Sequence, residues 1–98
     1  MRLGKTNRRT ARYRAMLELL PRAIRSRADE AFDLFCEDPS HPSLRLHELE
    51  DNRRGSHHPG SISATINMQY RAICFVDGDC NVWYWVGTHG QYDTFTGD

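Results

Sequence analysis

The sequence predicts an α+β domain in which two N-terminal helices pack on a small antiparallel β-sheet, followed by a short C-terminal helical turn. Three observations carry this reading. Apolar residues recur every three or four positions from Tyr13 to Phe35, the spacing of an amphipathic helical stretch. Further on the period becomes two, with Ile62, Ala64 and Ile66 alternating with Ser61, Ser63, Thr65 and Asn67, as along a strand with one polar face. Asp77-Gly78 then separates two β-rich runs, and Asp-Gly between such runs is a strong hairpin signal.

The elements follow in order. Residues 1–9 read as a flexible basic arm. Thr10 is a candidate N-cap for a first helix over residues 10–20, where Tyr13, Leu17 and Leu20 form a stripe. Pro21 interrupts the stripe. Proline suits the first turn of a helix and not its interior, so a second helix is expected over residues 21–37, with Ile24, Ala28, Ala31, Leu34 and Phe35 on one face. Two prolines flank Ser-His at residues 39–42, which predicts extended chain there. Leu44 and Leu46, alternating with Arg45 and His47, then predict a half-buried strand. Residues 51–60 form a polar loop carrying Arg53, Arg54, His57 and His58. Three strands are expected next, at residues 61–67, 70–76 and 80–86. The last two are apolar on both faces, as in the middle of a sheet covered on one side by helices, and Trp83 and Trp85 are expected to share a face. Thr88 with Gln91 three residues later fits a capping box, which would start a helical turn and set His89, Tyr92 and Asp93 on one side of it.

A chain of 98 residues favours one core and one domain, expected over residues 10–98. Apolar residues make up 39%, too many for a disordered tail. No apolar run approaches the ~20 residues needed to cross a bilayer, and the basic start lacks the apolar centre of a signal peptide, so a cytoplasmic protein is expected. Three cysteines without CxxC or zinc-finger spacing predict free thiols, and neither a metal nor a cofactor. The net charge of +0 hides a division. Residues 1–27 hold nine Lys/Arg against one acid, and residues 28–98 hold four Arg against twelve acids. A basic segment of this kind can meet nucleic acid or fold back on the acidic body.

Several pieces stand together in a familiar order: Leu20-Pro21, then Phe35, Asp38-Pro39 and His41-Pro42-Ser43-Leu44, then Ser61-Ile62-Ser63, Asn67 and Tyr70-Arg71-Ala72, and finally Trp85-Val86-Gly87-Thr88-His89 with Tyr92-Asp93. Over residues 10–95 this combination resembles the RelE/ParE superfamily of bacterial toxins from toxin–antitoxin pairs. The resemblance implies a helix pair on a sheet and, commonly, an endoribonuclease that cuts messenger RNA on the ribosome and is silenced by a cognate antitoxin. It implies antitoxin, messenger RNA and ribosome as partners, no membrane, and a monomeric toxin or a toxin–antitoxin hetero-oligomer. The alternatives are a toxin directed at DNA gyrase, a degenerate homologue that only binds antitoxin, and an unrelated RNA-binding adaptor. Three departures from the family pattern stand out. Many members open with a strand where residues 1–9 read as an arm, Thr65 occupies the place of a common arginine, and Gly90 follows His89 where an acid is common.

RNA cleavage without a metal needs a base for the ribose 2′-OH, cationic donors for the phosphorane and an acid for the leaving 5′-oxygen. Arg71 is the candidate phosphate clamp, with a surface salt bridge as its plain alternative. His89 is a candidate acid or base, otherwise an exposed residue beside a cap. Tyr92 could stack on a base or donate a proton, or simply pack its turn onto the sheet. His47 and Glu48 are candidate bases, of which strand alternation lets only one face the site. Arg53, Arg54, His57 and His58 could hold RNA backbone or be solvated. A metal site joining His57 and His58 to Cys74 or Cys80 is disfavoured by spacing.

Overall fold

A computed structural model of the chain describes residues 1–51 and 53–97. Along the chain run β1 (Thr6–Arg9), α1 (Ala11–Glu18), α2 (Arg22–Glu37), a 3-10 turn (Pro42–Leu44), β2 (His47–Glu48), β3 (Ile62–Asn67), β4 (Tyr70–Asp77), β5 (Cys80–Thr88) and α3 (His89–Thr96). The strands form one sheet in the order β1-β5-β4-β3-β2. The expected α+β class is present, with a larger and mixed sheet: β1 lies parallel to β5, and the other neighbours are antiparallel.

Local chemistry sets the helix boundaries. Thr10 Oγ1 accepts the Tyr13 N–H at 3.0 Å to cap α1, and Pro21 stands at the N-cap of α2, where its missing N–H costs nothing. The turn between β4 and β5 uses Gly78 at φ +60°, a left-handed conformation open to glycine. On one face of the sheet, Ile62, Ala64, Ile66, Ala72, Cys74, Trp83 and Val86 pack with Tyr13, Ala28, Phe35 and Leu44 into the main core. Phe35 meets Trp83 edge-on, with ring centroids 4.9 Å apart.

Several local expectations are corrected. The segment read as a basic arm contains β1, because Asn81, buried on β5, docks it. The Asn81 side-chain oxygen accepts the Gly4 N–H at 2.7 Å, and its amide donates to Gly4 O at 3.0 Å and Thr6 O at 3.3 Å. A strand of Thr-Asn-Arg-Arg has no apolar pattern to announce it. Replacing Asn81 by Ala is expected to cost about 1–3 kcal/mol, since it strips partners from backbone groups at the strand's start. Urea unfolding, together with faster amide exchange in residues 4–9 than in β4, would check this.

The expected extended chain before β2 is instead a 3-10 turn. His41 Nδ1 accepts the Ser43 N–H at 3.2 Å, Pro42 supplies the first turn position, and Arg45 takes a left-handed φ of 44°. Only His47 and Glu48 remain as strand.

The expected solvent-facing side of β3 is covered. The helix pair packs on one face, and on the other α3 packs with Ile73, Tyr84, Trp85 and Tyr92 over β4 and β5. Ser61 and Ser63 are both buried, Ser61 with its hydroxyl bonded to His58 O and beside the Tyr84 hydroxyl. Trp83 and Trp85 face opposite sides. The β4–β5 register passes from Ile73 opposite Trp85 to Cys74 opposite Trp83, which leaves Tyr84 as the extra residue of a β-bulge and reverses the alternation.

Candidate active site

Cross-strand partners point to the same face of a sheet, so register assigns each candidate a side. His47 pairs with Ser63, Ser63 with Ile73, and Ile73 with Trp85, a row on the face that α3 covers. The next row is Thr65, Arg71 and Gly87. Glu48 pairs with Ile62 and belongs to the helix-pair side, and its carboxylate lies 3.5 Å from the Met1 ammonium. Of the two candidate bases, the one sharing a face with Arg71 is therefore His47.

Arg71 is half-buried. Its Nη1 donates to the Asn67 and Tyr70 carbonyls, which anchors the guanidinium over the turn between β3 and β4. Among the described residues no carboxylate pairs with it, so the surface salt bridge considered for it is not present.

The start of α3 lies beside this arginine. Gly87 is the β5 partner of Arg71, and a Cβ there would come within 2.7 Å of Gln91 Oε1 and 2.9 Å of the Trp85 ring, so a side chain at this position would crowd both the amide that caps α3 and the ring beneath it. The Thr88–Gln91 capping box is complete: Thr88 Oγ1 accepts the Gln91 N–H at 3.1 Å, and the Thr88 N–H donates to Gln91 Oε1 at 2.9 Å. The His89 N–H donates to Gln69 O at 2.7 Å, tying the helix start to the β3–β4 turn. His89 Nδ1 lies 3.2 Å from Asp93 Oδ2. A carboxylate on one ring nitrogen fixes the tautomer and leaves Nε2 for another partner. Tyr92 is buried against Trp85 at 6.3 Å and His89 at 6.1 Å between ring centroids, so much of its surface is used in packing.

A cleft of about 500 Å³ opens beside α3, and His47, Glu48, Arg53, Arg54, His57 and Tyr92 line it. Six of the nine candidate residues are thus gathered at one opening, with Arg71, His89 and His58 outside its lining. His57 is fixed by its Nε2, 2.8 Å from Glu50 O, while its Nδ1 is buried without a partner among the described residues. His58 is placed differently: its ring stacks on Phe75 at 4.0 Å and its N–H donates to the Tyr84 hydroxyl at 2.9 Å. The same hydroxyl lies 2.7 Å from Ser61 Oγ. His58 therefore anchors the loop, and Tyr84 is a positioning residue that sequence reading missed. A tyrosine in an apolar strand needing a polar partner was the available signal. Leu49, Glu50, Asp51 and Thr96 also line the cleft, and no motif marks them.

Among the described residues no three His, Cys, Asp or Glu side chains gather as a metal site. Cys74 lies in the main core, and burial pushes its thiol up to about 12, far from the thiolate that a metal would need. No described helix is long and apolar enough to cross a membrane.

Comparison with family models finds no match, and neither does comparison with curated proteins. Solved structures do match. The toxin YafQ from E. coli aligns with a TM-score of 0.66 at 11% identity, over 88% of this chain and 94% of that one. The archaeal RelE–RelB complex from Pyrococcus horikoshii aligns at 0.65 and 18% identity, over 88% and 96%. The RelBE2 toxin–antitoxin complex from Mycobacterium tuberculosis aligns at 0.61 and 24% identity, over 86% and 96%. The chain has the RelE-like toxin fold, and its resemblance to the RelE/ParE superfamily holds at that level.

Proposed function

We propose that this chain, which folds as the RelE and YafQ toxins do, is the toxin of a toxin–antitoxin pair and cuts messenger RNA on the ribosome, held in check by a cognate antitoxin. The observation that carries the catalytic reading is Arg71, a half-buried guanidinium with no carboxylate partner among the described residues, on the sheet face it shares with His47 and next to the His89–Asp93 pair. A cation kept there without a counter-ion suits an anion that arrives from outside.

In this reading the scissile phosphate sits against Arg71, whose free guanidinium N–H groups hold the non-bridging oxygens as negative charge grows in the phosphorane. His47 takes the proton from the ribose 2′-OH, and that oxygen attacks phosphorus. The bond from phosphorus to the 5′-oxygen breaks, and His89 Nε2–H, oriented through Asp93, gives its proton to the leaving oxygen. The products are a 2′,3′-cyclic phosphate and a 5′-hydroxyl. Arg53 and Arg54 on the cleft rim contact the backbone on either side, and Tyr92, largely buried, presents to the RNA only the part of its side chain that lines the cleft.

The test is a translating extract supplied with the protein, with message ends mapped after incubation. Wild type is expected to produce discrete cuts, and Arg71→Ala to lower the cutting rate by about 10²–10³-fold. An uncut message, together with blocked supercoiling by purified gyrase, would reassign the chain to the gyrase-directed alternative. Neither activity, with retained antitoxin binding, would make it a non-catalytic homologue.

A further inference from the structure

Beyond the cleft, the turn between β3 and β4 faces the first residues of α3 across a hollow of about 330 Å³ lined by Met68, Gln69, Tyr70, Thr88, His89 and Gly90. Its backbone is held from several sides. Asn67 Oδ1 accepts the N–H groups of Gln69 at 2.8 Å and Tyr70 at 3.0 Å. The Gln69 carbonyl accepts the His89 N–H at 2.7 Å, and Arg71 Nη1 binds the carbonyls of Asn67 and Tyr70.

Two side chains on this rigid frame, those of Met68 and Gln69, are in contrast uncommitted. Met68 is 74% exposed, a thioether held in water where the fold gains nothing from it. The Gln69 amide has no hydrogen bond among the described residues, only its backbone being engaged. Gly90 supplies a separate observation: a Cβ built on it meets nothing within 4 Å. Glycine within a helix is less favourable than alanine, and no packing demand here offsets that. The missing side chain leaves open space at a residue that lines the hollow.

We propose that this hollow seats one unstacked nucleobase of single-stranded RNA, next to the phosphate at Arg71. The inference rests on the endoribonuclease reading and assigns it a base-recognition subsite. The Met68 thioether and the half-buried Tyr70 ring are apolar faces for the base, and Gln69 presents a donor and an acceptor to its edge, the combination by which unpaired bases are read. A frame that is already fixed loses little freedom when the base arrives.

Binding can be followed without cleavage by using 2′-O-methyl oligoribonucleotides and protein carrying ¹³C-labelled methionine methyls. The Met68 methyl is expected to move upfield on saturation, as a methyl over a base must, while the half-buried Met16 methyl stays in place. Gly90→Leu places a bulky side chain at the hollow's lining, at a position where a Cβ itself meets nothing within 4 Å. It is expected to abolish the Met68 shift and weaken binding about five- to hundredfold, the contribution of one stacked base, with an unchanged circular dichroism spectrum. A Met68 methyl that stays still at saturation overturns the proposal, as does an equal shift with an abasic sugar–phosphate oligomer. A methyl that moves only when a protein antitoxin is added assigns the hollow to a protein partner and overturns it too. Cleavage with a silent Met68 would leave the endoribonuclease reading standing and remove the subsite. A shift at Met68 in a chain that cuts no message would do the reverse.

Discussion

His89→Ala is expected to slow RNA cleavage by roughly 10²–10⁴-fold, the range for loss of a positioned proton donor. Little else should change. The His89 side chain is 52% exposed and its ion-pair partner is Asp93, while the bonds that start α3 come from the His89 backbone and from Thr88 and Gln91. Thermal unfolding should therefore stay within about 0.5 kcal/mol of wild type, as for a surface substitution. Asp93→Asn should give a smaller loss, because it orients the ring and does not touch substrate. Single-turnover cleavage separates the two variants by the size of the loss. Unchanged rates for His89→Ala would withdraw the proton-donor role and turn attention to the loop carrying Arg53, Arg54 and His57.

The largest stability loss is expected at Trp85. It is buried beneath α3, its ring stacked on Phe95 at 5.2 Å and edge-on to Tyr92 at 6.3 Å. Trp85→Ala leaves a large void on this side of the sheet and is expected to cost ~3–5 kcal/mol, read from the midpoint and slope of urea unfolding. Leu19→Ala is the matching control. Leu19 is 86% exposed, so its truncation should move stability by no more than about 0.5 kcal/mol. Because Trp85 is the floor on which α3 rests, its loss should also lower cleavage, although it touches no substrate. The restoring variant is Trp85→Phe, which keeps a ring under the helix.

What could be read in advance was what short-range chemistry decides. Thr10, Pro21, Asp77-Gly78 and the Thr88–Gln91 pair each act within a few residues, and each marks its boundary in the structure. The alternation of Ile62, Ala64 and Ile66 was equally clear, since one side of β3 is apolar. The features that escaped depend on distant partners. Whether His47 or Glu48 faces the site follows from their pairing with Ser63 and Ile62, which no local pattern reveals. The bulge at Tyr84 was hidden because a strand reading Val-Trp-Tyr-Trp-Val is apolar at every position and carries no sign of its faces. Ser61 and Ser63 pointed to solvent by composition, yet both are buried, Ser61 against His58 and Tyr84 from distant parts of the chain. In the candidate site, Arg71 and the His89–Tyr92–Asp93 arrangement were legible as a strand residue and a capped turn. The opening formed by His47, Arg53, Arg54 and His57 was not, because a ten-residue loop has no period from which to infer its path.

The pairing of β1 with β5 also bears on how the molecule comes together in time. Hydrogen bonds between these segments join residues 73 to 77 positions apart, so during synthesis β1 is made long before its neighbour exists. Contacts of such separation must overcome the entropy of closing a long loop before any of them stabilises the structure, and folds rich in them assemble on the slower, millisecond-to-second scale. Until then β1 has no partner, and Arg8 and Arg9 within it, with Lys5 just before it, are charged side chains of the kind that keep strand edges from pairing with the wrong chain. Pairing with β5 covers only one side of β1, which stays the outermost strand of the sheet, so the same charged residues protect its open side in the folded protein.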